Sequence, residues 1–314
     1  MKYVLVLLVV VVFGWLMLRG RGRSKAPRGK APKEQAQYSA LTPGPVIRGG
    51  LLGVVAGPFT QLRGPVAVAA MGPDVYVADA GLGMLLRVDQ IANRITPFGP
   101  RGVQPGTRLA ADVDGSLYVL DPASRRLQRF ARDGRLLQSF PTDPTIASLR
   151  DLALDPTRGR ILGADALNRQ LVAFRPLGAS SELLPLYGEP RDQVTSFDAL
   201  TVAPDALYAL DGRCRCIARL AFDGRVLGTF GHERLVRPER IAADRYGRLF
   251  VADGGDRSIK AFRDGSLEET IPYARLGLLE ATDLAYADGW LYVADAPGSQ
   301  VRMLRVQPPP KAQP

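Results

Sequence analysis

The sequence predicts an all-β protein, a six-bladed β-propeller, preceded by an N-terminal transmembrane helix. Two observations predict the propeller. Short apolar runs alternate with turn residues along most of the chain, and an aspartate that follows one of these runs recurs at nearly constant spacing. A third observation predicts the helix, because the sixteen residues from Tyr3 to Leu18 are apolar almost without interruption.

The stretch from Pro238 to Ile271 shows the repeating unit most clearly. Three apolar runs, Ile241 to Ala243, Leu249 to Ala252 and Ile259 to Phe262, are separated by gaps that contain Asp and Gly. Short runs rich in β-branched and aromatic residues, bounded by Asp and Gly, are typical of strands joined by tight turns. Leu267 to Ile271 adds a fourth run, so the unit is predicted to be an antiparallel sheet of four strands.

The chain contains six copies of this unit. Each copy has an Asp directly after its second strand, and these residues lie 42, 44, 46, 42 and 42 positions apart, a period expected for propeller blades. The six residues are Asp79, Asp121, Asp165, Asp211, Asp253 and Asp295. An Asp at a strand end can accept hydrogen bonds from nearby backbone amides, so a position shared by every copy is predicted to be structural.

The repeats resemble those of NHL-repeat six-bladed β-propellers. Leu117 to Phe130 and Leu249 to Phe262 match the family pattern best, whereas the family's usual Asn and Arg in the polar loop occur together only at Asn168 and Arg169. The resemblance covers about residues 45 to 306. It implies a fold and not a reaction, because related propellers include calcium-dependent lactonases, a zinc-dependent amidating lyase, sensor domains and RNA-binding modules.

The last repeat stops after its third strand, Val301 to Val306, so the ring needs one strand from elsewhere in the chain. Residues 51 to 56 match the outer strand of the fourth repeat and are predicted to become the outermost strand of blade six. The predicted domains are an anchor at 1–19, a basic Pro-rich flexible linker at 20–44, the propeller at 45–306 and a disordered tail at 307–314.

Positive charge is concentrated before the propeller. The formal net charge is +10, but the first 37 residues contain eight Lys or Arg and one acidic residue, which leaves +3 for all the others. The propeller is therefore not predicted to bind nucleic acid. No small-residue cleavage site follows Leu18, which favours an uncleaved single-pass anchor over a signal peptide. The positive-inside rule favours a cytoplasmic propeller, with the basic run against the membrane surface, and a periplasmic or extracellular propeller is the alternative.

The two cysteines, Cys214 and Cys216, are separated by a single residue. On an extended strand their Cα atoms would lie about 6.5–7 Å apart, at the upper edge of disulfide reach, so two free thiols are favoured over a redox or metal pair. The single histidine, His232, lies in a predicted loop between blades. No metal site is predicted.

The candidate binding face is the one where the inner strands begin and where loops converge on the central channel. The position before each inner apolar run carries Ala67, Arg108, Asp151, Ala199, Arg240 and Asp283, in chain order. With residues one position earlier, the predicted ligand- or partner-binding set is Arg108, Arg150, Asp151, Asp198, Glu239, Arg240 and Asp283. This mixed ring can hold a zwitterionic or anionic ligand, or it can neutralise itself as an ion-pair network that lines a solvated channel.

No catalytic residue and no cofactor is predicted. A single histidine cannot complete a Ser/His/Asp set or the several-histidine zinc site implied by the amidating lyases. Asn93 and Asn168 fall in predicted loops away from the channel, so a lactonase-like calcium site has no support beyond carboxylates. The predicted function is a membrane-tethered, non-catalytic binding or scaffold module that recognises a protein, peptide or small ligand. The alternative is a divalent-metal-dependent hydrolase of the lactonase or esterase type.

Overall fold

Six sheets follow one another along the chain, as the aspartate period predicts. The computed structural model describes residues 38–52, 59–121, 124, 126–140, 146, 148–176, 181–188 and 194–310. The predicted membrane helix at Tyr3 to Leu18 lies outside these residues. Within the described ranges, no helix has the length and apolar character needed to span a bilayer.

Each blade is a meander of four strands, and the strands are numbered in chain order. The first three are β1 (Leu41–Ile47), β2 (Gly49–Leu52) and β3 (Phe59–Gln61). Blade one contains β4 (Pro65–Met71), β5 (Asp74–Asp79), β6 (Met84–Asp89) and β7 (Arg94–Arg101). Blade two contains β8 (Arg108–Ala111), β9 (Leu117–Asp121), β10 (Arg126–Phe130) and β11 (Leu136–Ser139). Blade three contains β12 (Leu149–Asp155), β13 (Arg160–Asp165), β14 (Gln170–Phe174) and β15 (Ser181–Pro185).

The second half of the ring repeats this arrangement. Blade four contains β16 (Ala199–Val202), β17 (Leu207–Asp211), β18 (Cys216–Leu220) and β19 (Val226–Phe230). Blade five contains β20 (Pro238–Ala243), β21 (Leu249–Asp253), β22 (Ser258–Arg263) and β23 (Ser266–Pro272), and a single helical turn, α1 (Tyr273–Leu276), follows it. Blade six contains β24 (Asp283–Ala287), β25 (Trp290–Asp295), β26 (Gln300–Val306) and the N-terminal strand β1.

The strand that closes the ring is β1, and not residues 51 to 56 as the sequence predicts. Strand β1 pairs with β26 in antiparallel register, from Leu41 opposite Val306 to Ile47 opposite Val301. Its prolines are tolerated because it is an edge strand with a bulge between Pro43 and Val46. The propeller therefore begins before residue 45, inside the predicted linker.

The segment predicted to close the ring instead extends blade one. Strand β2 pairs with β3 in a hairpin, and its residues Leu51 and Leu52 lie parallel to the outer strand β7. The remaining residues of the predicted strand, 53–56, lie outside the described part of the chain. The predicted tail also begins too early, because the backbone amide of Gln307 donates to the carbonyl oxygen of Ala40 at 2.9 Å.

Apolar side chains fill the interface between every pair of neighbouring blades. Six buried clusters alternate with the six sheets, and the cluster between blades five and six includes Ala40 and Leu41 beside Ile271 and Leu304. Each sheet is buried on both faces, which explains why its second strand reads as a continuous apolar run. The ring is therefore continuous, and the six-bladed β-propeller fold is confirmed.

The repeat aspartates tie each inner strand to the turn after the second strand. In blade five, Asp253 accepts hydrogen bonds at 2.8 Å from the amides of Val236 and Arg237, which precede the inner strand. It also accepts one at 3.0 Å from Gly255 in the following turn. The same two segments are joined by Asp79, Asp165, Asp211 and Asp295. Burial raises the pKa of Asp253, but Lys260 and these amides outweigh it and hold the pKa below the usual range.

Candidate binding site at the channel mouth

The inner strands place six residues in one layer around the channel. Each pairs with the residue before a repeat aspartate, so all six lie at the same height in their blades: Ala67, Arg108, Asp151, Ala199, Arg240 and Asp283. In chain order the layer reads Ala, Arg, Asp and then Ala, Arg, Asp again. This layer therefore has approximate twofold symmetry, with like residues in opposite blades.

Two ion pairs occupy this layer. The Nε atom of Arg108 in blade two lies 3.6 Å from Oδ1 of Asp151 in blade three. The Nε atom of Arg240 in blade five lies at the same distance of 3.6 Å from Oδ1 of Asp283 in blade six. At 3.6 Å these are charge contacts and not short hydrogen bonds. The layer is thus partly self-neutralising, the second of the two possibilities raised by the sequence.

Each aspartate also accepts a backbone hydrogen bond from the next blade. Asp151 Oδ2 accepts from the amide of Leu200 at 2.8 Å, and Asp283 Oδ2 accepts from the amide of Val68 at 2.9 Å. These two amides lie next to the two alanines of the layer, which leave room for the carboxylates. The aspartates are therefore fixed in position by the blades that carry no charge in this layer.

Each of the two arginines keeps a hydrogen-bond donor group that no described residue accepts from. Nη1 of Arg108 donates to the carbonyl of Thr107 at 2.8 Å, and Nη1 of Arg240 donates to that of Glu239 at 2.6 Å. Nε of Arg240 donates to the carbonyl of Thr282 at 3.1 Å, whereas Nε of Arg108 is buried without a hydrogen-bond partner. Within the described ranges, neither Nη2 group has a hydrogen-bond partner.

Above the layer, a cavity of about 410 Å³ opens on the face where the inner strands begin. We call this cavity the channel mouth. Its polar lining consists of Arg108, Asp198, Glu239, Arg240, Glu280 and Thr282. Below the layer, the channel continues as a cavity of about 180 Å³ lined mainly by alanine and aliphatic side chains, with Asp151, Arg240 and Asp283 at its upper end.

Three carboxylates line the channel mouth above the arginines. Asp198 Oδ2 accepts hydrogen bonds at 2.8 Å from the amide of Gly212 and from the hydroxyl of Ser196. Glu239 Oε1 lies 3.0 Å from Nε of Arg237. Burial raises the pKa of Glu239, Arg237 opposes the shift and Glu280 adds to it, which places Glu239 and Glu280 within electrostatic reach of each other.

The structure brings most of the predicted binding residues together around the channel. Arg108, Asp198, Glu239 and Arg240 line the mouth, and Asp151 and Asp283 lie directly beneath it. Arg150 differs, because its side chain is exposed and borders neither cavity. Glu280 is absent from the predicted set because it enters the mouth from the connection between blades five and six, and strand register gives no signal for that segment.

Burial raises the pKa of both layer aspartates against the opposing effect of Arg108, to about 7 for Asp151 and to about 6 for Asp283. In the unfolded chain both carboxyls titrate near pH 4, so the folded protein holds extra protons between about pH 4 and 7. The free energy of unfolding is therefore expected to fall as the pH rises through this range. Urea unfolding between about pH 5 and 8 measures the slope, which Asp151→Asn should reduce. An unchanged slope in that variant would contradict the assignment.

The cysteines differ from the sequence prediction, because Cys214 and Cys216 form a disulfide. The residue between them, Arg215, has a left-handed backbone with φ of 55°, which shortens their Cα separation to 5.3 Å. The extended geometry assumed from the sequence does not apply in this turn. One ring nitrogen of His232 and the two sulfur atoms all lie within 4.8 Å of one another. The prediction of two free thiols is therefore wrong.

No family model matches the chain, and no curated protein matches it. Several solved structures are similar to the chain. A protein of unknown function from Bacteroides thetaiotaomicron has a TM-score of 0.62 at 15% identity, covering 78% of this chain and 70% of its own. Virginiamycin B lyase from Staphylococcus aureus has a TM-score of 0.59 at 13% identity, covering 79% and 97%. A streptogramin B lyase has a TM-score of 0.56 at 14% identity, covering 85% and 96%. At these identities the likeness extends to the six-bladed β-propeller fold alone.

Proposed function

We propose that the propeller is a non-catalytic binding module that holds a zwitterionic small ligand, such as a short peptide, in the channel mouth. One observation carries this proposal. Two arginines in opposite blades, Arg108 and Arg240, line the mouth with Nη2 groups that have no hydrogen-bond partner among the described residues. Above them lie the carboxylates of Asp198, Glu239 and Glu280, which we call the rim. The arginines suit the anionic end of the ligand, and the rim suits its cationic end.

The balance of charge favours a zwitterion over a simple anion. At neutral pH the positive charges of Arg108 and Arg240 are partly offset, because Asp283 is mostly ionised and Asp151, whose pKa is about 7, is about half ionised. The rim adds the negative charges of Asp198, Glu239 and Glu280, so a purely anionic ligand would be repelled at the entrance to the mouth. A cavity of about 410 Å³ is within the range that binds small molecules.

The proposal of a non-catalytic site is supported by the position of the single histidine. A histidine-to-alanine variant of the Staphylococcus aureus lyase is catalytically inactive. In this chain, His232 is not among the residues that line either channel cavity. The aspartates of the layer are fixed by backbone amides and arginines, as expected of groups that position charge.

We propose further that Tyr3 to Leu18 tethers the module to a membrane. The support is the apolar run and the basic residues that follow it. A chain without residues 2–37 is expected to leave the membrane fraction of cell lysates, whereas the full chain stays in it. Recovery of both in the soluble fraction would count against the tether. A reporter that is active in a single compartment, fused after Pro314, identifies the side of the membrane on which the propeller lies. The positive-inside rule favours the cytoplasmic side.

Calorimetric titration tests the binding proposal. Triglycine, which is zwitterionic, is expected to bind at least about tenfold more tightly than succinate or putrescine, because each of these leaves one half of the mouth unpaired. The double variant Arg108→Gln, Arg240→Gln is expected to weaken triglycine binding by about tenfold or more, since charge-assisted hydrogen bonds contribute about 1.5–3 kcal/mol each.

The matched control is Arg219→Gln. Arg219 also pairs with an aspartate, Asp205 at 2.8 Å, but both side chains are about half exposed and lie outside the mouth. Triglycine affinity should not change in this variant. Equal affinity for the three probes, or full affinity in the double arginine variant, would refute the proposed site.

A further inference from the structure

A second chemical site lies on the same face as the channel mouth, in blade four. Cys214 is in the turn between β17 and β18, Cys216 is the first residue of β18, and His232 follows β19. The two sulfur atoms and one imidazole nitrogen lie within 4.8 Å of one another. Cys216 is buried, Cys214 is partly exposed and His232 is exposed, so the cluster is open on one side.

The disulfide is not needed to form its turn. The residue four positions after the repeat aspartate has a left-handed backbone in all five blades whose residue there is described: Gly83, Arg169, Arg215, Arg257 and Ser299. The flanking side chains meet in blade five without any covalent bond, since Ser258 Oγ donates to Asp256 Oδ1 at 2.5 Å. The fold therefore brings these two positions together whichever residues occupy them.

A disulfide in this position adds little to stability. Cys214 and Cys216 are two residues apart, and the entropy lost by the unfolded chain on closing so short a loop is among the smallest that a disulfide can provide. The amide of Cys214 is also held at 3.0 Å by Asp211, independently of the disulfide. Reduction is therefore expected to leave the blade folded, with two thiols in place.

We propose that Cys214, Cys216 and His232 form a redox-gated site for a thiophilic d10 cation of the zinc type. Two thiolates and one imidazole are a set that zinc accepts, with the fourth position open to water. Zn–S bonds of about 2.3 Å and Zn–N bonds of about 2.0 Å place ligand atoms roughly 3.5–3.8 Å apart. After reduction, the two sulfur atoms of Cys214 and Cys216 therefore have to separate from bonding distance, while the imidazole nitrogen, within 4.8 Å of them, has to approach only slightly. The disulfide form has no thiolate to offer and does not bind.

The chemistry balances with a dithiol as reductant. One of its thiolates attacks the accessible sulfur of Cys214, forming a mixed disulfide and releasing the Cys216 thiolate. Its second thiol then displaces Cys214, so the reductant leaves as a cyclic disulfide and the protein gains two electrons and two protons. Zinc binding replaces the two thiol protons. A disulfide oxidant reverses the sequence and releases the metal.

Neighbouring groups favour the metal-bound form. Arg213 and Arg215 flank Cys214 in sequence, and positive charge near a thiol stabilises its thiolate. Thr229 Oγ1 lies 3.0 Å from Nε2 of His232 and orients the imidazole, as hydrogen-bond partners of metal-binding histidines commonly do.

Metal titration of the full-length chain in detergent tests this inference. The protein is reduced with a dithiol, freed of reductant without oxygen, and titrated with Zn²⁺ against a chromophoric chelator and with Co²⁺ by absorption. The reduced chain is expected to bind one equivalent, with a thiolate-to-cobalt charge-transfer band, and the oxidised chain none. Cys214→Ser and Cys216→Ser should each lower affinity by at least about a hundredfold, and His232→Ala by at least about tenfold.

Two controls make the result decisive. Glu233→Gln changes an exposed carboxylate beside His232 and should leave affinity unchanged. Thermal melting of the reduced, metal-free chain should match that of the oxidised chain within a few degrees. The inference is overturned if oxidised and reduced chains bind zinc equally, if His232→Ala binds as the wild type does, or if reduction alone unfolds the propeller.

Discussion

Deletion of residues 2–48, which removes β1, is expected to abolish cooperative unfolding of the propeller, whereas deletion of residues 2–37 is expected to preserve it. Strand β1 pairs with β26 from Leu41 to Ile47 and completes blade six. Leu41 is 1% exposed in the core between blades five and six, and burial of such a side chain stabilises by about 1.5–3 kcal/mol. Together with the lost strand pairing, the deletion approaches the whole stability of a typical domain, about 5–15 kcal/mol.

A point variant distinguishes the loss of ring closure by β1 from the effect of shortening the chain. Glu269 in blade five accepts a hydrogen bond from the hydroxyl of Ser39 at 2.8 Å and from the amide of Ala40 at 2.7 Å. Glu269→Ala should therefore lower the free energy of unfolding by about 1–3 kcal/mol in the chain that retains β1. Thermal and urea unfolding measure both effects. If both deletions melt alike, the ring does not depend on β1 for closure.

Arg248→Met is expected to cost about 3–5 kcal/mol of stability, the second large effect. Arg248 is fully buried, and its Nε donates to Asp244 Oδ2 at 2.8 Å. Its Nη2 donates to the carbonyl of Gln307, whose amide in turn donates to Ala40. Methionine fills the volume but leaves a buried carboxylate without its counter-ion, which is the most costly way to break such a pair.

A double-variant cycle checks the cause of this loss. Adding Asp244→Asn to Arg248→Met removes the unpaired charge and should recover part of the stability. The matched control is Arg219→Met, which breaks a half-exposed pair with Asp205 and should cost less than about 1 kcal/mol. Urea unfolding at neutral pH measures the free energy of unfolding of the wild type and of these three variants. Equal losses for Arg248→Met and Arg219→Met would show that the buried pair has no special role.

The features set by strand register could be predicted from the sequence. The Asp period places six meanders, and alignment on those residues alone places Arg108, Asp151, Arg240 and Asp283 in one layer. Register is predictable because a shift by one residue would turn every buried side chain of the strand to the other face.

The features that depend on local backbone geometry could not. Strand β1 contains Pro43 and Pro45, which read as linker residues but are compatible with an edge strand. The distance between Cys214 and Cys216 depends on the left-handed conformation of Arg215, a backbone conformation that is uncommon for non-glycine residues. His232 reaches the cysteines because strands β18 and β19 are adjacent, a proximity that spacing along the chain does not reveal.

The central claim is that the channel mouth holds a zwitterion between the arginines and the rim. Its most direct test is the anomalous difference map from crystals of the protein grown with a tripeptide that ends in selenomethionine. The account predicts one selenium peak in the mouth, with the peptide carboxylate on the Nη2 groups of Arg108 and Arg240 and its amino group beside Glu239 and Glu280. An empty mouth at a peptide concentration that saturates binding in solution, or a peptide bound elsewhere, would contradict it.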